Sequence, residues 1–545
     1  MTAGAVKVST TPIFSIIPRD QTNKDFQLLL RVEAPPAADL KRRVPIDLVA
    51  VVDVSGSMRD PAEASWENKL SPPRLDVLKK AMKFIIRKLD DGDRLSIVAF
   101  NDRPVKEFST GLLDISGDGR SIAGKMVDRL EAHGGTALMP GLEAAVKILD
   151  GRPGESGHRV GFIVLLTDGA DRSGFRWSRE AIHGGLSSKY PVHTFGLGAE
   201  HDPEPLLYIA QESRGTYSFV DDENLDKITG ALAVCLAGLK TVAAVDTRVS
   251  LKATELSGAR IERIDSGGYE SRVACDGASG EVVVGVLYAG EVKSFVVHLH
   301  LPAAAQSLEE CCRHKQQRLL AVGCSYAGDT TPGDVRGVFV ERPEDEEEET
   351  LLPSPIVLQH MVRFELLELV ESEVILEKKK KKTTAAAKRL QSKWEEFRRA
   401  RQFWSGVDLD GVEEEVNAMV SSLRRGLAYV CSWVSSHQMQ RATVMGSPDN
   451  VAAAKFMTPA MATMLEEAQK LPPPAANVDQ QPGGCDDDLQ RMIGQRLEMW
   501  SKVRREVPLM YHPSSEDGDH RHGQAVVHAS NQRRCDGHRD QAQGK

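Results

Sequence analysis

Ile46-Asp47-Leu48-Val49-Ala50-Val51-Val52-Asp53-Val54-Ser55-Gly56-Ser57 decides the reading of this chain. The apolar run 46–52 reads as a buried strand, and it ends in Asp-x-Ser-x-Ser, which places Asp53, Ser55 and Ser57 at the strand's carboxyl end. Carboxylates and hydroxyls converging there suit a hard divalent cation, which prefers oxygen donors. Two more fragments belong with them. Thr136 follows Gly134-Gly135 in a loop before a helical pattern, and Asp168 follows the apolar strand 162–166 in Leu166-Thr167-Asp168-Gly169. In a parallel sheet such strand ends share one rim, where open α/β folds collect their ligands. Singly, each fragment has a plainer reading: Asp53 and Ser55 as helix caps, Gly134-Gly135-Thr136 as a turn. Their order, each between a strand-like and a helix-like segment, favours a shared metal site.

These residues resemble the von Willebrand factor type A domain, whose metal-ion-dependent adhesion site is built from DxSxS, a loop threonine and a TDG-type aspartate. The resemblance implies that Ser55, Ser57 and Thr136 give hydroxyl oxygens to Mg²⁺ (or Mn²⁺), while Asp53 and Asp168 act mainly through bound waters. That arrangement suits an ion that dehydrates reluctantly and prefers octahedral oxygen coordination. It also leaves a sixth position for an acidic side chain of a protein partner.

At 545 residues the chain is long enough for two or three domains. A net charge of -9 is mild, and no basic patch is interleaved with aromatics, so nucleic acid is not expected as a partner. The 8 cysteines lack the C-x-x-C pairing of a zinc module and read as free thiols. Residues 1–20 carry no leader pattern and no run of eighteen apolar residues occurs, so neither export nor membrane insertion is expected. The cytoplasm is the expected location, with the run Lys378 to Lys382 offering a nuclear import signal or, more simply, a solvated helix face.

Residues 45–240 alternate strand-like and helix-like segments, the pattern of an α/β doubly wound parallel sheet. Over 241–343 the apolar period changes from 3.6 to 2, marking a β-sandwich domain. Its segments Ser266-Gly267-Gly268-Tyr269 and 285–291 resemble the intein-like β domain that follows the A domain in a group of plant proteins. Residues 1–44 read as two strands that need a partner sheet, so the A domain is expected to be inserted in, or followed by, the β-sandwich. An acidic linker at 344–353 leads to a helical region at 354–470, within which 411–434 reads as one amphipathic helix. Residues 471–545 read as a disordered tail with a short amphipathic helix at 487–505.

His298 and His300, two apart on a strand, read as part of an exposed sheet face. No G-x-S-x-G elbow, P-loop, H-E-x-x-H or kinase motif occurs, and the zinc-ligand series of the RING modules found in some plant relatives is missing. The expectation is therefore a protein-binding protein that is not an enzyme. Two rivals remain: a metal-assisted hydrolase using Asp60, Glu63, Glu67 or Asp171 as base, and a scaffold whose site holds no metal.

Overall fold

The computed structural model describes residues 5–470 apart from 41–42, 62–71, 153–158, 170–188, 199, 305–315, 328–334, 344–351, 376–382 and 451–453. Most of the acidic linker, the basic run 378–382, Cys311-Cys312 and the helix expected at 487–505 lie outside the described residues. So do Glu63, Glu67 and Asp171.

The chain starts with β1 (Lys7–Pro12) and β2 (Asn23–Glu33). It then passes into β3 (Ile46–Asp53), α1 (Arg74–Lys88), β4 (Arg94–Phe100), β5 (Leu113–Asp114), α2 (Gly119–Arg129), α3 (Leu138–Asp150) and β6 (Val160–Thr167). There follow β7 (Val192–Leu197), α4 (Pro203–Ser213), β8 (Tyr217–Val220) and α5 (Ile228–Lys240). Strands β3, β4, β6, β7 and β8 are all parallel neighbours. All eight residues of β3 are buried, as a parallel strand covered on both faces must be. Alternation sorts them: Leu48, Ala50 and Val52 pack with α1, α2 and α5, whereas Val49 and Val51 pack with α3 and α4. The α/β class expected for this stretch is the one observed.

Seven further strands follow, β9 (Val242–Ala253), β10 (Arg260–Asp265), β11 (Glu270–Val273), β12 (Ser279–Tyr288), β13 (Val292–Leu301), β14 (Gln316–Ser325) and β15 (Arg336–Glu341). They form two antiparallel sheets, β1-β2-β13-β10 and β11-β12-β9-β14-β15. β2 thus lies between β1 and β13, with Leu30 opposite Phe295 and Leu28 opposite Val297. Phe26, Leu28 and Leu30 share one core with Val249, Val282, Leu320 and Val340 from the other sheet.

The helical region comprises α6 (Pro355–Val370), α7 (Thr383–Arg401), α8 (Leu409–Ser422), α9 (Ala428–Met439), strand β16 (Met445–Gly446) and α10 (Pro459–Gln469). The single helix expected over 411–434 is two: the backbone leaves the helix after α8, and Gly426 takes φ +149, a conformation that ends helical hydrogen bonding and favours glycine. The break lets α9 turn onto the α/β part. There Ser435 Oγ accepts the Tyr217 N–H at 2.8 Å, and β16 pairs in parallel with β8 as an edge strand of the seven-stranded sheet.

Between α9 and β16 the chain passes the β13 end of the paired sheets. Arg441 donates from Nε to Glu291 Oε1 at 2.9 Å, and Lys293 Nζ lies 3.0 Å from the same oxygen. Lys293 Nζ also donates to the Met439 and Gln440 carbonyls. His298 is buried rather than exposed, a correction to its reading. Its ring nitrogens lie 2.7 Å from Asp25 Oδ1 and 2.8 Å from Asp265 Oδ2, so carboxylates of β2 and β10 close over it.

Candidate metal centre

Asp53 ends β3, and the chain turns immediately into a short 3-10 segment, Gly56–Arg59. The turn is held from within, since Asp53 Oδ1 accepts the Ser55 N–H at 2.7 Å. Asp53 Oδ2 accepts the Thr167 hydroxyl at 2.5 Å, joining the ends of the neighbouring strands β3 and β6. Asp168, the next residue, accepts the Ser57 hydroxyl on Oδ1 at 2.8 Å. Ser55 Oγ and Ser57 Oγ stand 3.1 Å apart.

The threonine loop reaches the same place. Gly56 N–H donates to the Gly134 carbonyl at 3.0 Å, and His133 N–H donates to the Val54 carbonyl at 2.7 Å. Asn101 and Asp102 brace the loop from the end of β4: Asn101 Nδ2 donates to the His133 carbonyl at 3.0 Å and Asp102 Oδ2 accepts the Gly135 N–H at 3.0 Å. A Cβ at Gly135 would stand 2.3 Å from Asp102 Oδ1, so a side chain there would push the Asp102 carboxylate out of its brace on the loop. Thr136 is buried, and a Cβ built on Gly169 would lie 3.2 Å from Thr136 Oγ1 and 3.8 Å from Ser57 Oγ. The backbone beside Asp168 thus lies next to both hydroxyls. All five predicted residues meet at one rim of the sheet.

Charge at the rim is concentrated. Burial pushes the Asp53 carboxyl up to about 7, hydrogen bonds from Thr167 and Ser55 pull it back, and the Asp168 charge adds to the rise. A carboxylate so placed keeps its charge best beside a cation. The rim offers hydroxyl and carboxylate oxygens with no sulfur or imidazole, a donor set that fits Mg²⁺ or Mn²⁺. Among the described residues no group of three or more His, Cys, Asp or Glu side chains is arranged to hold a metal, and the rim itself brings only two carboxylates together with its hydroxyls.

Sequence reasoning misses three participants. Thr167 stands in the Thr-Asp-Gly motif without a role assigned to it, although its hydroxyl ties Asp53 to β6. Arg74 Nη1 bonds Asp168 Oδ2 at 3.0 Å and its Nη2 bonds Asp222 Oδ1 at 3.0 Å. The only signal for Arg74 in the sequence is a cation in the first turn of a helix, where the macrodipole disfavours it.

Comparison with known proteins bears on the stretch that carries the rim. Residues 46–219 match the family model of the von Willebrand factor type A domain. The E3 ubiquitin-protein ligase WAV3 of Arabidopsis thaliana is 29% identical over 321 residues, 55% of this chain and 38% of that protein. An uncharacterized protein of Synechocystis is 33% identical over 198 residues, 36% of this chain and 42% of its own length. The E3 ubiquitin-protein ligase WAVH1 of Arabidopsis is 29% identical over 207 residues, 35% of this chain and 27% of that protein. The aligned stretches thus span less than half the length of these curated relatives. Among solved structures, a von Willebrand factor type A protein from Catenulispora acidiphila superposes with a TM-score of 0.53 at 19% identity, covering 77% of this chain and 89% of that one. That likeness concerns the fold.

The expectation that the chain is not an enzyme does not stand against these relatives, because WAV3 and WAVH1 are named ligases and ligases are enzymes. The matched stretch is 38% of WAV3, so the want of a catalytic constellation within it is no argument against activity. No helix among the described residues is long and apolar enough to cross a membrane. Residues 46–219 are thus similar to a von Willebrand factor type A domain, by the match to that family's model.

Proposed function

We propose that this chain recognises other proteins through a divalent ion, Mg²⁺ or Mn²⁺, held at Asp53, Ser55, Ser57, Thr136 and Asp168, and that it captures an acidic side chain. The observation that carries the reading is the convergence of those residues from three separate segments, β3, the loop before α3 and β6. Type A domains commonly bind a divalent metal and generally mediate contacts between proteins. Bound at the rim, the ion supplies an open coordination position for a carboxylate oxygen. Ser55, Ser57 and Thr136 supply neutral oxygens, so the incoming carboxylate meets less opposing charge than in an all-carboxylate site. Asp53 and Asp168 orient the hydroxyls and balance the ion. Coulomb attraction of this kind is strong only where water is excluded, and both carboxylates are buried.

The similarity to WAV3 reaches beyond the type A domain, over 321 residues. We read the rim as the surface that selects a protein for ubiquitin transfer, with residues 241–343 as the intein-like β domain and the cytoplasm or nucleus as the place of action. The test is Mg²⁺ and Mn²⁺ titration by calorimetry and thermal shift on the wild type, Asp53→Ala and Asp168→Ala. A companion crosslinking pull-down from plant extract would run with Mg²⁺ and with EDTA. Wild-type binding lost in both variants, with metal-dependent capture, is expected. No metal binding at millimolar concentration, or capture unchanged in EDTA, refutes the reading.

A further inference from the structure

Arg74 opens α1, and its guanidinium spans carboxylates at two strand ends, Asp168 after β6 and Asp222 after β8. Its own N–H donates to the Asp60 carbonyl at 2.9 Å, at the end of the turn that carries Ser55 and Ser57. A cation in the first turn faces the positive pole of its helix, so α1 does not account for the residue. The two carboxylates do. Room for the arrangement comes from Gly198, at φ +76, where a Cβ would stand 2.4 Å from Asp222 Oδ1 and 3.2 Å from Arg74 Nη2. The side chain of Arg74 is 10% exposed and that of Asp168 is 0% exposed, so the pair is shielded from water.

The division of Asp168 is informative. Its Oδ1 accepts the Ser57 hydroxyl and faces the hydroxyl set, while its Oδ2 is committed to Arg74. Resting on the metal site argued above, we propose that Arg74 is a positioning residue and resident counter-ion for that site. It fixes the rotation of Asp168 so that one oxygen serves the hydroxyls, and it offsets one of the two buried carboxylate charges. The rim therefore keeps its shape when divalent metal is scarce. The same charge opposes an incoming dication, so Arg74 sets metal affinity lower than Asp53 and Asp168 alone would give. Lysine would keep the charge but lacks the planar fork that reaches two carboxylates at once.

The test compares wild type, Arg74→Gln and Arg74→Lys by Mn²⁺ titration, followed by electron paramagnetic resonance, and by thermal unfolding in EDTA and in saturating Mn²⁺. Arg74→Gln is expected to melt lower in EDTA, to gain more from Mn²⁺ than the wild type and to bind Mn²⁺ several-fold tighter. Arg74→Lys, which retains the charge without the fork, is expected to melt lower in EDTA and to bind Mn²⁺ no tighter than the wild type. A merely structural arginine would lower the melting temperature without tightening Mn²⁺ binding. Unchanged or weaker Mn²⁺ binding by Arg74→Gln, in a wild type that does bind, overturns this inference and leaves the metal site standing. A wild type that does not bind removes both. If Arg74→Gln folds only with Mn²⁺, the proposal is supported; if it fails to fold even at saturating Mn²⁺, the proposal is refuted.

Discussion

Replacing Arg441 by methionine tests how firmly the α/β part and the paired antiparallel sheets are locked together. Arg441 is 3% exposed, and its guanidinium also lies over the Tyr288 ring, 4.2 Å from the centroid. Its partner Glu291 is equally buried and accepts the Tyr288 N–H at 2.9 Å as well as the two cations. Burial works to raise the Glu291 carboxyl, but Arg441 and Lys293 outweigh it and hold the group below its ordinary range. Burial also pushes the Lys293 ammonium down to about 7. Methionine fills much of the stem volume and removes the charge, leaving a buried carboxylate with one ammonium. Breaking a buried ion pair from one side costs about 3–5 kcal/mol, and the lost cation–π contact adds ~0.5–2 kcal/mol. The expected loss is therefore about 3.5–7 kcal/mol, a large share of a stability of ~5–15 kcal/mol. Glu291→Gln is expected to cost at least as much, because Lys293 can shed its proton but the buried Arg441 guanidinium cannot. Combining the two should cost at least ~1.5 kcal/mol less than their sum, since the groups share one network. Urea unfolding at pH 7 followed by tryptophan fluorescence reads each value from the midpoint at constant slope. Additive losses, or a single substitution costing under ~1 kcal/mol, would mean that these charges do not act as one buried cluster.

Two other outcomes are expected. Burial disfavours the His298 cation, yet hydrogen bonds to Asp265 and Asp25 outweigh it and raise the folded-state pKa above 6.5. The folded protein then holds that proton more tightly than the unfolded chain. The stabilisation is complete below about pH 6.5 and fades as pH rises through the folded-state value. Urea midpoints measured from pH 6 to 9 should fall for the wild type more than for His298→Gln, and identical profiles would contradict the assignment. Deleting residues 1–40 removes β2, whose Phe26, Leu28, Leu29, Leu30 and Val32 are fully buried. At ~1.5–3 kcal/mol for each such side chain the loss rivals the whole stability of a domain. Limited proteolysis should cleave the truncated protein within 241–343, and resistance equal to the full chain would refute the pairing.

Legibility follows locality. The strand and its motif can be read because an apolar run and the hydroxyls after it are contiguous, and Asp168 follows its own strand in the same way. Helix α2 escapes the pattern because it buries only Gly119, Ala123 and Val127 and leaves Ile122 46% exposed, too thin a stripe for period counting. Helix α4 is hidden by Pro203 and Pro205, which read as breakers but sit in the first turn, where the missing N–H has no intrahelical partner; the N-cap Asp202 is the usable signal. β16 is two residues long and owes its strand geometry to β8, a dependence no local sequence encodes. His298 is misjudged for the same reason, since Asp25 and Asp265 that cover it are remote in sequence. Of the rim, its five ligand candidates can be read; Arg74, which holds Asp168 from behind, and its second partner Asp222 depend on two strand ends and a helix start meeting in space.

The position of β3 also bears on mechanical load. A partner pulling on the rim pulls on the carboxyl end of β3, which is bonded on both sides to parallel neighbours, from Asp47–Asp53 against Arg94–Phe100 and from Ile46–Val52 against Val160–Leu166. Tension along that strand must shear both ladders together instead of opening hydrogen bonds one after another. The opposite end of β3 leads back to β2, itself an inner strand between β1 and β13. Force applied at the rim is therefore carried from the middle of one sheet to the middle of another, where neither end offers a strand that can peel.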